Sequence, residues 1–165
     1  MKLNNILAVA LVATAMSLTS CSKKMITESS ASYATFNISC LHSNGDGTET
    51  VMAWGQGKDY QTAAEAARRN AVREMIFKGI TSGSTKGCNV RPIVPEVNAQ
   101  EKYSWYFDKF FANGGAYTKY VSKPADQKKG IRANKSTGMM SASVQVTVDR
   151  SALRQRLIDD EILKP

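Results

Sequence analysis

Residues 34–57 alternate polar and apolar positions, which predicts a strand, a tight turn and a second strand. Phe36, Ile38 and Cys40 fall on one face of the first strand. Asn44, Gly45, Asp46 and Gly47 supply turn chemistry, because Gly and Asn tolerate positive φ. In the second strand Val51 and Ala53 share one face, with Met52 and Trp54 on the other. The period then changes. From about 60 to 79, Ala63, Ala67, Ala71 and Met75, with Ala64, Val72 and Ile76, recur at helical spacing. Asp59 is placed to cap this helix, and Thr62 with Glu65 offers a capping box one turn later. The apolar stripe begins as alanine and ends bulky, so the start of the helix can approach a sheet closely.

Residues 79–97 lack a period and are punctuated by Gly79, Gly83, Gly87, Pro92 and Pro95, which predicts a loop with a short extended piece over 90–94. Asn98 and Glu101 suggest a capping box for an aromatic helix carrying Tyr103, Tyr106, Phe107, Phe110 and Phe111, stopped by Gly114 and Gly115. Such an aromatic stripe belongs in a core. Residues 116–122 read as a strand, and 123–138 as a polar basic stretch. Ala142, Val144, Val146 and Val148 then alternate cleanly, and Asp149 caps a last helix that turns Leu153, Leu157 and Ile162 inward. The order β-β-α-α-β-β-α predicts an α+β fold, a mostly antiparallel sheet with helices packed on one face.

The first residues follow a different logic. Lys2 gives a positive start, Ile6 to Met16 is an apolar run interrupted only by Thr14, and Leu18, Thr19 and Ser20 lead to Cys21. A charged start, a short apolar run and small residues describe an export signal, and the run is too short to span a membrane as a helix. Leu18 to Cys21 resembles the lipobox of bacterial lipoproteins. That resemblance makes Cys21 the acylated first residue of the mature protein and residues 1–20 the signal peptide. No Asp follows Cys21, so by the same resemblance the expected location is the outer membrane, facing the periplasm. Residues 21–32 are then a lipidated cysteine and a flexible Ser/Thr/Lys tether, and 33–165 a single α+β domain. The acyl chains would hold the chain at a membrane without a spanning helix.

Charge narrows the partners. The chain of 165 residues carries a formal net charge of +8, which favours anionic surfaces. Lys123, Lys128, Lys129, Arg132 and Lys135 concentrate that charge and are the candidate contact for anionic lipid or glycan. Nucleic acid is not an expected partner of an exported chain without nucleic-acid motifs. Cys40 and Cys88 can bridge in an oxidising compartment, adding about 3–4 kcal/mol on the chain-entropy argument, or can remain buried free thiols.

Trp54, Gly55, Gln56 and Gly57 ahead of a helix with alanines at 63, 67 and 71 are similar to the opening of the Lpp-twenty-type lipoproteins and the N-terminal domain of the flagellar assembly protein FlgT. Val146, Thr147, Val148 and Asp149 running into Leu153 and Leu157 resemble the closing strand and helix of those domains, and the curli secretion lipoprotein CsgG has a related layout. The aromatic insert at 79–115 departs from that pattern. The resemblance implies a non-enzymatic envelope lipoprotein, a binding or assembly module that packs against a protein partner, with no catalytic residues.

Other chemistry is thin. Gly55 and Gly57 lack the rest of a dinucleotide or P-loop fingerprint, so they are expected to serve helix packing. His42 is the only histidine. Two residues from Cys40, it could share a strand face and begin a metal site, but the further ligands are missing and no metal or cofactor is expected. The alternatives are an oligomeric secretion-complex subunit, or a small envelope enzyme using Cys40 or Cys88 with His42 as base.

Overall fold

The computed structural model describes residues 38–81, 89–124, 132–133 and 138–165, all within one unit spanning Ala31–Pro165. Strand β1 (Ser39–Ser43) and strand β2 (Thr48–Gly57) form the expected hairpin. Gly45 and Gly47 take φ of 76° and 90° in the turn, where a side chain would be strained. The Asp46 carboxylate accepts hydrogen bonds from the Thr48 backbone N–H at 2.9 Å and its hydroxyl at 2.7 Å, closing the turn locally.

Strand β4 (Met140–Asp149) runs antiparallel to β2 along its whole length, from Thr48 opposite Asp149 to Gly57 opposite Met140. A two-residue strand, β3 (Arg132–Ala133), pairs with the start of β4, and the sheet order is β1-β2-β4-β3. The period-2 pattern fixes which face is dry: Val51, Ala53, Ala142, Val144, Val146 and Val148 are all buried.

Helix α1 (Tyr60–Phe77) lies on that face. Asp59 caps it, accepting from the Thr62 N–H at 2.8 Å while the Thr62 hydroxyl accepts from the Asp59 N–H at 3.1 Å. The capping box therefore forms one turn earlier than the Thr62–Glu65 alternative. Ala63, Ala67 and Ala71 face the strands. The approach is so close that a Cβ on Gly55 would sit 2.2 Å from the Ala67 backbone nitrogen and 2.3 Å from the Ala63 carbonyl oxygen. At Gly57 the same atom would meet the Ala63 nitrogen at 2.4 Å. These glycines serve the contact between strand and helix.

The chain leaving α1 folds back on it. Ile80 and Val90 form an antiparallel bridge, and the N–H groups of Ile93 and Val94 reach the carbonyls of Met75 and Ile76 at 3.3 and 2.9 Å. These contacts satisfy acceptors that a helix end leaves open. The aromatic segment is two short helices, α2 (Ala99–Lys102) and α3 (Ser104–Phe110), broken at Tyr103. The expected capping box at Asn98 does not form: Asn98 is left-handed, φ 59°, and its side chain makes no cap bond.

Residues 116–120 correct a second expectation. They form a 3₁₀ helix (Ala116–Tyr120), not a strand, and only Val121 bridges to Val148. The reason is lateral packing. Tyr117 and Tyr120, three apart, both turn towards the aromatic segment, Tyr117 tilted against Phe111 at 6.0 Å between centroids and Tyr120 stacked on Phe110 at 6.1 Å. A strand would send them to opposite faces, whereas a 3₁₀ turn eclipses them. Helix α4 (Arg150–Asp159) closes the fold, with Asp149 accepting from the Ala152 N–H at 2.8 Å and Leu153, Leu157 and Ile162 buried. The architecture is α+β.

Candidate functional site

The hairpin that carries Cys40 and His42 is irregular where it matters. Cys40 lies opposite Val51 and His42 opposite Thr50, so two residues of β1 advance while β2 advances one. That is a β-bulge at Leu41, and it reverses the side to which the following residue points. Cys40 is fully buried on the core side, and His42 is exposed on the other. The expectation that they share a face is therefore wrong. Cys40 is also disulfide-bonded, so it offers neither a thiolate nucleophile nor a metal-binding sulfur. Its disulfide partner lies outside the described residues, as do both other cysteines of the chain, Cys21 and Cys88. Among the described residues, no three His, Cys, Asp or Glu side chains are grouped to hold a metal ion.

The basic stretch is only partly in view. Lys123 is exposed, while Lys128, Lys129 and Lys135 lie outside the described residues, and Arg132 is described only by its backbone in β3. What the structure shows is how that stretch is launched. Arg68, on α1, is 8 % exposed, buried despite its charge. Its Nε donates to the Ser122 carbonyl at 3.0 Å and its Nη2 to the Val121 carbonyl at 3.0 Å. Its Nη1 pairs with Glu65 at 2.6 Å. The guanidinium fork thus clamps the two residues from which the basic stretch departs.

Glu65 is the hub of this arrangement. It accepts from Arg68 and, on its other oxygen, from the Tyr117 hydroxyl. Burial pushes its carboxyl up, but the hydrogen bonds from Tyr117 and Arg68 and the charges of Arg68 and Arg69 outweigh it and hold the group below the usual carboxylate range. Arg69 lies over the Tyr117 ring at 5.7 Å and Arg73 over the Phe111 ring at 4.9 Å. Apart from the Glu65–Arg68 pair, three residues apart on one helix, these contacts were not legible from spacing, because the partners at 111, 117, 121 and 122 lie 38 residues or more along the chain. The nearest signal was three arginines on an otherwise alanine-rich helix.

Two tryptophans mark the surface. Trp54 is 40 % exposed on the sheet face away from α1, beside Gln56 and opposite Ser143. Trp105 is 62 % exposed on α3, its ring edge-on to Tyr106 at 5.9 Å. No helix of the described residues is long and apolar enough to cross a membrane. Compared with known protein families, characterised proteins and solved structures, the chain matches none.

Proposed function

We propose that the chain is an exported lipoprotein, held at the outer membrane by acyl chains on Cys21, whose α+β domain is a non-enzymatic binding or assembly module of the periplasmic face. The observation that carries the module reading is the pair of exposed tryptophans, Trp54 and Trp105. Large aromatic side chains left in water on a folded surface favour a partner that buries them. The Cys40 disulfide supports export, since such bonds persist in oxidising compartments. With Cys21 committed to lipid, Cys88 is the thiol left to bridge Cys40. The mechanism is tethering: the lipid fixes the domain near the membrane, and Lys123 with the basic residues that follow it meets anionic headgroup or glycan while the tryptophan surfaces meet protein.

Two measurements test this. Labelled palmitate should enter the wild-type protein and not Cys21→Ser, and the variant should leave the membrane fraction. A photo-crosslinker at position 56 or 108, beside each tryptophan, should give discrete adducts in native membranes that Trp54→Ser or Trp105→Ser abolishes. A Cys21→Ser protein that still carries acyl chains, or adducts indifferent to both substitutions, would overturn the proposal.

A further inference from the structure

The chain contains two Asn–Gly dipeptides, Asn44–Gly45 and Asn113–Gly114, both in exposed turns. The two are alike in the ways that usually govern reactivity. Each glycine has positive φ, 76° at Gly45 and 69° at Gly114, and a Cβ added to either would meet nothing within 4 Å. Both glycines are exposed, with open space on the side where a side chain would stand. The asparagine side chains differ. The Asn44 amide nitrogen donates to the Thr48 hydroxyl at 2.7 Å and the Thr50 hydroxyl at 3.2 Å, which ties it to the hairpin. The Asn113 side chain accepts, on Oδ1, a 2.6 Å hydrogen bond from the cationic Nη2 of Arg69, where Oδ1 of Asn44 has only the neutral Thr50 hydroxyl at 3.5 Å.

We propose that Asn113 is a self-modifying site, converted to aspartate and isoaspartate through a succinimide, with Arg69 as the group that promotes it. The Gly114 nitrogen attacks Cγ of Asn113. A C–N bond forms, negative charge develops on Oδ1, the bond from Cγ to Nδ2 breaks, and the attacking nitrogen's proton leaves with the side-chain nitrogen as ammonia. Water then opens the five-membered ring at either carbonyl. No oxidant or cofactor is required. A cationic donor on Oδ1 stabilises the tetrahedral stage, the principle of an oxyanion hole. At Asn44 the leaving nitrogen is restrained and the carbonyl lacks a charged donor. The product carboxylate at 113 stands beside Arg69, so the change ends in an ion pair in the turn that joins α3 to the 3₁₀ helix.

The test follows both sites by peptide mass mapping of the folded mature protein held at mildly alkaline pH. Asn113 should convert about tenfold faster than Asn44, less than the ~10²–10³ of a buried oxyanion-hole donor because the site is exposed. Arg69→Met should slow Asn113 to the rate of Asn44 and leave Asn44 unchanged. In denaturant, where the hydrogen bonds of both sites are lost, the two should convert alike. Equal rates in the folded wild type, or an Asn113 rate indifferent to Arg69→Met in a variant that retains its circular dichroism, would overturn the proposal. Should Arg69→Met fail to fold, the folded-against-denatured comparison in the wild type decides alone.

Discussion

Helix α1 packs by opposite means at its two ends. Its first half meets β2 through alanine and glycine, with backbone nearly touching backbone at Gly55 and Gly57. Its second half, from Val72 to Phe77, meets rings: Phe77 is edge-on to Phe107 at 4.8 Å, and Phe107 in turn contacts Phe110 and Phe111 at 6.4 and 6.0 Å. The first contact gains by keeping side chains no larger than needed for strand and helix backbone to approach closely, and so tolerates no enlargement. The second gains by filling volume, and so tolerates no loss. Hydrophobic burial and dispersion act in both, but the direction in which a substitution hurts is reversed.

The largest test of this contrast is Phe107→Ala. The side chain is 1 % exposed at the centre of the rings, and truncation should cost about 4 kcal/mol in a urea titration. Phe107→Leu should recover more than half of that, as expected where volume is the issue. Gly55→Ala comes next. The added methyl collides with helix backbone, which cannot rotate away, so a loss of about 3 kcal/mol is expected. A Gly55→Ala protein as stable as wild type would show that the strand and helix can separate freely, and the contrast would fail.

Arg68→Met probes the stitch between α1 and the segment after the 3₁₀ helix. It keeps the aliphatic volume and leaves the Val121 and Ser122 carbonyls without their donor, at a cost of about 1–3 kcal/mol. Faster hydrogen exchange or proteolysis near residues 121–124 should accompany it, with the sheet between β2 and β4 unaffected.

The smallest effect concerns Glu74, buried within the bulky half of α1 and paired with Lys78 at 2.8 Å. Burial raises its carboxyl above the ordinary value, and the hydrogen bond and charge of Lys78 only partly offset this. Since the folded state holds this proton more tightly than the unfolded one, the group favours folding at low pH. That contribution declines as pH rises from the ordinary carboxylate value through the raised one. Glu74→Gln should therefore flatten the fall of Tm across that window. An unchanged slope would place the pH dependence elsewhere.

Much of this fold was legible in the chain because it rests on short-range periodicity. Val144, Val146 and Val148 point inward for the same reason that they alternate, and Asp59 and Asp149 cap helices because their carboxylates lie within three residues of open N–H groups. The candidate site was legible in a different sense. Cys40 was recognisable as a partner for a disulfide, but not as one turned away from His42, because a bulge depends on how one strand registers against another and leaves no trace in spacing. Nothing in their spacing marked Arg68 and Glu65 as a clamp, since their partners at 117, 121 and 122 arrive only when the chain has closed on itself.

The amino-acid sequence by itself determined the α+β class, the dry face of the sheet and the alanine–glycine contact that lets α1 descend on β2. Each is set by the period of side chains along one element and by which of them have a Cβ. Only the tertiary structure decided that residues 116–120 coil as a 3₁₀ helix, that Asn98 starts α2 without a side-chain cap, and that Arg69 comes to rest on Asn113. Those outcomes depend on rings and charges far apart in the chain, and their energies exist only once the two ends of α1 have found their different partners.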